Sequence, residues 1–171
     1  DAVALVDDAK NNIGRKKMSV STNNKPVGAR PSFDKIDSME TLDALLEEWF
    51  EGISPVDYKL KETHQYTMAL PASYYGPGSY SNWMRVGWAL ASTHKKMFLT
   101  WLKFSAQENC RDTLRGNDGK FDWSNVSVLF QEWLTFDFDN PDGLTHRSIM
   151  YWCKLNAGPG KYEEINVQTI D

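Results

Sequence analysis

Seven tryptophans set the tightest limit on what these 171 residues can become. An indole is too large and too apolar to leave in water, so segments that each carry one must share a packed interior. Leu42, Leu45, Leu46, Trp49 and Phe50 recur at three- and four-residue steps and predict a helix. Asp37 with Glu40 predicts its capping box, and Gly52 and Pro55 its end. Tyr80 to Thr93 places Trp83, Val86, Gly87 and Leu90 on one face, with Trp88 and Ala91 beside them. Lys95 to Gln107 groups Phe98, Trp101, Leu102 and Ser105 in the same way. Only a turn at Thr93-His94 separates these two, which predicts an antiparallel helical hairpin. Asp122 can cap a helix bearing Val126, Leu129, Phe130 and Trp133, and Thr145 one with Ile149, Trp152 and Cys153 inward. Each of these helices brings a Trp to its apolar face. The fold class that follows is all-α, a small aromatic-rich helical bundle.

The rest of the chain is organised around that bundle. Residues 1–36 are rich in lysine and turn formers and predict a mostly irregular basic linker. Residues 37–62 form an acidic helix and connector, 63–156 the helical domain, and 157–171 the start of a following element. Within Thr63 to Leu70, Tyr66, Met68 and Leu70 alternate at period two, which predicts an extended stretch. The chain opens on Asp1 rather than Met, the expected mark of a piece of a longer protein. No apolar run approaches the roughly 18 residues of a membrane span, so no membrane partner is expected.

Most chemistry fails on spacing. Two cysteines, Cys110 and Cys153, make no disulfide framework and predict a reduced, intracellular setting. His64, His94 and His146 are too scattered to suggest metal ligands. Asp137 and Asp139 form an Asp-x-Asp pair that on a strand could hold two metals, but here it runs into the turn Asn140-Pro141-Asp142-Gly143. A calcium loop starting at Asp137 puts Pro141 at position five and Ser148 where a bidentate Glu belongs. No Walker-type glycine loop and no dinucleotide fingerprint occurs. Cys110 beside Arg111 reads as an ordinary loop thiol. No catalytic or metal-ligating residue is assigned, and no cofactor is expected within this chain.

Charge is the more informative signal. The net charge of -4 conceals blocks: seven bases against one acid from Lys10 to Lys35, then seven acids and no base from Ile36 to Asp57. Ser79 to Lys120 carries seven bases against three acids, and Phe121 to Asp142 five acids and no base. Two readings stand side by side. The blocks are solvated faces that pair with one another, or they make a positive surface that neutralises phosphates, with an aromatic among the cations stacking on a base. The candidates for nucleic-acid contact are Arg85, Lys95, Lys96, Lys103, Arg111, Arg115, Arg147, Tyr151 and Lys154. Arg147, Tyr151 and Lys154 share one face of the last helix of the bundle, opposite its apolar stripe.

The run Trp83-Met-Arg-Val86-Gly87-Trp88-Ala89-Leu90 and the helix Phe98-Leu99-Thr100-Trp101-Leu102-Lys103-Phe104-Ser105 resemble the primase C-terminal type 2 domain. The resemblance continues through Trp133-Leu134-Thr135-Phe136 and Gly143-Leu144-Thr145-His146-Arg147-Ser148-Ile149-Met150-Tyr151-Trp152. Tyr66-Thr67-Met68-Ala69-Leu70-Pro71 and the Arg147 to Trp152 block are further similar to the primase-helicases of large double-stranded DNA viruses. The resemblance implies a helical accessory domain between a primase-polymerase domain and a superfamily 3 helicase, aiding primer synthesis without holding the metal site. It implies a parent DNA primase with an ATP-dependent helicase, Mg and ATP or NTP bound only by the flanking domains, and a viral replication compartment in host cytoplasm or nucleus. The partners implied are single-stranded template or primer duplex and those two neighbouring domains. Two other readings remain open. One is a spacer that docks primase to helicase without touching nucleic acid, marked by exposed Trp88 or Tyr74 and Tyr75. The other is a metal-dependent enzyme using Asp137 and Asp139.

Overall fold

The computed structural model describes residues 36–136, 140 and 142–170, and of 168–170 the backbone alone. The basic linker up to residue 35 and the pair Asp137 and Asp139 therefore lie outside the described residues. Within them the chain is helical: α1 (Met39–Glu51), α2 (Tyr58–Met68), α3 (Tyr80–Thr93), α4 (Phe98–Ser105), α5 (Val126–Thr135), α6 (His146–Asn156) and α7 (Lys161–Ile170). Among the described residues there is no strand, only an isolated bridge between Arg115 and Phe121. The all-α reading holds.

The centre of the molecule is α4. Phe98, Leu99, Thr100, Trp101, Leu102, Phe104 and Ser105 are all buried, leaving Lys103 as the one side chain of that helix nearer to water. A helix apolar on every side has to be wrapped by others, and α1, α2, α3 and α5 all pack on it. Trp83 early in α3 donates its indole N–H to Ser105 at the end of α4 (2.8 Å), and Gly87 lies against Trp101. The two helices thus run antiparallel, as the turn at His94 predicts. The second helix of that hairpin opens as a 3-10 turn, Lys95–Met97, because the His94 ring accepts the Lys96 N–H and tightens the chain there. A second group forms around α6, which packs on α2, α3 and α7.

Gly87 is what lets α3 and α5 close on α4. A Cβ built there would lie 2.5 Å from a ring carbon of Phe136 and 3.0 Å from the Trp101 indole. Phe136 is itself locked among Trp88, Trp101 and Trp133 and has nowhere to swing. Gly87→Ala is therefore expected to destabilise by about 2 kcal/mol in urea unfolding, overpacking outweighing the roughly 1 kcal/mol of helix propensity that alanine gains. A neutral or stabilising result would mean that this approach is looser than the geometry states.

Two local expectations are corrected. Thr63 to Met68 is not extended but the second half of α2, and Ala69 and Leu70 turn out of it. The inward residues are Leu60, Thr63, Tyr66 and Thr67, at helical spacing. Thr63 and Thr67 are admitted to the core because each hydroxyl donates to the carbonyl four residues back, Lys59 and Thr63, at 2.8 Å. The α1 cap is Ser38 rather than Asp37: the Ser38 hydroxyl accepts the Thr41 N–H (3.3 Å), and Thr41 accepts the Ser38 N–H (3.2 Å). Asp37 accepts only from the Thr41 hydroxyl, at 3.4 Å. Thr145 caps α6 in the expected way, again through a reciprocal box with Ser148. Asp122 accepts from the Ser124 N–H and hydroxyl, starting the 3-10 turn that leads into α5. The tail forms α7, where Tyr162 stacks on Tyr66 at 5.3 Å and Ile165 is buried.

Candidate nucleic-acid interface

The charge blocks of the sequence become faces. α1 carries Glu40, Asp43, Glu47, Glu48 and Glu51 and no base, whereas α3, α4 and α6 carry no acid at all. Packing of α1 on α4 brings opposite signs together. Lys103 Nζ lies 2.8 Å from Asp43, and Lys96 Nζ sits 5.8 Å from the ring centroid of Trp49. Beside them opens a cleft of about 490 Å³ in which Asp43, Glu47 and Glu51 outnumber Lys61 and Lys103. Its local charge repels a phosphate chain rather than drawing one in.

His64 forms the inner wall of that cleft and was not singled out by sequence. Its Nδ1 is 2.9 Å from the Thr100 hydroxyl, and Phe50 tilts against its ring at 5.1 Å. Burial lowers its pKa to about 4, Lys103 pushes the same way, and Asp43 opposes them. The ring is neutral at neutral pH and adds no cation.

Arg115 is committed to its own loop. Its Nε and Nη2 donate to the Cys110 carbonyl (3.1 and 2.8 Å), Nη2 reaches Asn109, and Nη1 meets Asp112 at 3.2 Å. Lys95 lies half-buried beside Lys96 in the turn before α4.

The remaining candidates gather along α3 and α6. On α6, Arg147, Tyr151 and Lys154 are exposed, opposite buried Ile149 and Cys153. Tyr151 is 60% exposed. Arg85 reaches across from α3 and holds its guanidinium 5.3 Å from the Trp152 ring centroid. Tyr74 braces the Trp152 ring at 5.9 Å, and the Tyr74 hydroxyl accepts from Asn156 at 2.8 Å. Lys154 lies over Tyr162 at 5.6 Å. His146, at the start of α6, is held below the ordinary imidazole value by burial and then by the charges of Lys59 and Arg147, with Glu62 opposing, so α2 brings both a cation and a carboxylate to this end. Arg111, from the loop after α4, sits over Trp83 (4.7 Å) and Tyr80 (5.0 Å) at the start of α3. Trp152, read from sequence as inward, is half-buried at the rim and forms the platform under Arg85. Its position one step off the buried stripe is the signal that could have marked it.

Among the described residues no group of three or more His, Cys, Asp or Glu is placed to hold a metal. Burial pushes the Cys153 thiol up to about 11, and Cys110 is buried. Tyr74 is buried and Tyr75 and Trp88 half-buried, so the aromatics named for a spacer are part of the domain's own packing. No helix among the described residues is long and apolar enough to cross a membrane.

The family model for Primase C terminal 2 (PriCT-2) matches residues 64–153, from within α2 through most of α6. The chain belongs to this family. It therefore carries a primase-associated C-terminal domain, the one its helix order and its Trp-x-x-Val-Gly motif resemble. No curated protein and no solved structure matches the chain. The PriCT-2 match contains Arg85, Arg111, Arg147 and Tyr151, and ends one residue before Lys154.

Proposed function

We propose that this PriCT-2 domain is a non-catalytic module of a viral-type DNA primase-helicase, holding template or primer during primer synthesis. Contact runs along the α3 and α6 face, while metal and nucleotide chemistry belong to the flanking primase and helicase domains. One observation carries the reading: Arg147, Tyr151 and Lys154 are exposed along one face of α6, and neither α6 nor α3, whose Arg85 reaches α6 at Trp152, contains a carboxylate. Cations there attract phosphates, and an open phenol can stack on a base.

Fluorescence anisotropy with a labelled single-stranded oligonucleotide tests it. Binding is expected to weaken with salt at a log–log slope of about -0.7 per phosphate contacted. Arg147→Glu with Lys154→Glu is expected to cost about tenfold or more in affinity and to flatten that slope by one to two. Salt-independent binding, or a double variant that binds like the wild type, would refute the assignment.

A further inference from the structure

Two arginines stand apart from every other cation described. The Nε atoms of Arg85 and Arg111 are buried with no hydrogen-bond partner. Neither guanidinium meets a carboxylate among the described residues: α3 has none, and Asp112, next to Arg111 in sequence, is taken by Arg115. A buried N–H left unpaired costs on the order of 1–3 kcal/mol, so this is an expensive way to hold a charge. Each guanidinium is instead laid on aromatic faces, Arg85 on Trp152 and Arg111 on Trp83 and Tyr80. The rings hold each guanidinium in place, and burial of Nε leaves the terminal nitrogens as its free edge.

We infer that Arg85 and Arg111 form a two-point clamp for the phosphodiester backbone of a single strand crossing the first turns of α3. Tyr80, on which Arg111 also rests, and Arg85 are five residues apart, about 140° around the helix, and the exposed Ser81 falls between them. A guanidinium held in place presents paired N–H donors to phosphate oxygens with little left to order on binding. Tyr80 selects the strand type. It is 54% exposed and shares the Arg111 stack, so its open face can take an unpaired base, which a duplex does not offer. The clamp rests on the nucleic-acid reading above but makes a narrower demand: the planar fork, not the positive charge alone.

The test keeps the charge and removes the fork. Arg85→Lys, Arg111→Lys and the double variant of the full chain are titrated with a short oligothymidine and with its oligoadenosine duplex. Single-strand affinity is expected to fall about tenfold in the double variant, with the salt slope kept. Tyr80→Ala, at an exposed position that spares the core, is expected to weaken the single strand several-fold and leave the duplex unchanged. Wild-type affinity in the double lysine variant overturns the clamp while leaving the electrostatic reading standing. Duplex preference in the wild type overturns the choice of strand. No binding of either nucleic acid by the wild type sinks both.

Discussion

Trp101→Ala is expected to lower the unfolding free energy by about 4 kcal/mol, at the upper end of what a single core truncation removes. The indole is fully buried at the middle of α4. It stacks on Trp83 at 4.7 Å, meets Phe136 edge-on at 5.1 Å and lies 6.0 Å from Trp133. Its N–H points to the Trp83 carbonyl at 3.4 Å. Removing it opens a void where α3, α4 and α5 meet. Those helices are already at closest approach across Gly87, so the void cannot collapse. Trp101→Phe restores one ring and is expected to cost less than half as much. Urea unfolding followed by far-ultraviolet circular dichroism separates the two without depending on the indole signal. Equal losses for Ala and Phe would show that the ring contacts are not what holds the centre.

The fold was legible wherever burial follows side-chain polarity. α3 spans Tyr80–Thr93, the limits its spacing predicts, and Thr145 caps α6 because a β-conformation Thr before a helix has few other uses. Legibility failed where polar groups are inside. Thr63 and Thr67 count as polar in any pattern, yet their hydroxyls are satisfied within α2, so the helix hides behind an apparent alternation. Ser38 displaced Asp37 as cap because one residue of register decides which oxygen reaches the Thr41 N–H. The candidate site was legible as charge blocks but not as geometry. Nothing local tells Lys103 that Asp43 will face it, or Arg85 that Trp152 will lie beneath it. Those pairings belong to helix packing, and they divide cations that look equivalent in sequence into paired and open ones.

His64 gives the α1 side a pH dependence. Its folded pKa is about 4, against 6.5 for a free imidazole, through burial first and the Lys103 charge second. The unfolded chain therefore takes up a proton near pH 6.5 that the folded chain refuses until near pH 4. The sign follows: the contribution is complete above about pH 6.5 and is lost as the pH falls through that window. The full loss amounts to about 3 kcal/mol. His64→Gln keeps a hydrogen-bonding group opposite Thr100 but does not titrate, so the wild type is expected to lose more stability than this variant between pH 7 and pH 4. Carboxylates that titrate near pH 4 do so in both proteins and cancel in the comparison. Asp43→Asn removes the group that favours the imidazolium and is expected to push the His64 pKa lower still, whereas Lys103→Met is expected to raise it. Proton chemical shifts of the imidazole read each value directly. A His64 pKa at or above 6 in the folded chain would mean that the ring reaches water, and that Lys103 and Asp43 do not set its charge.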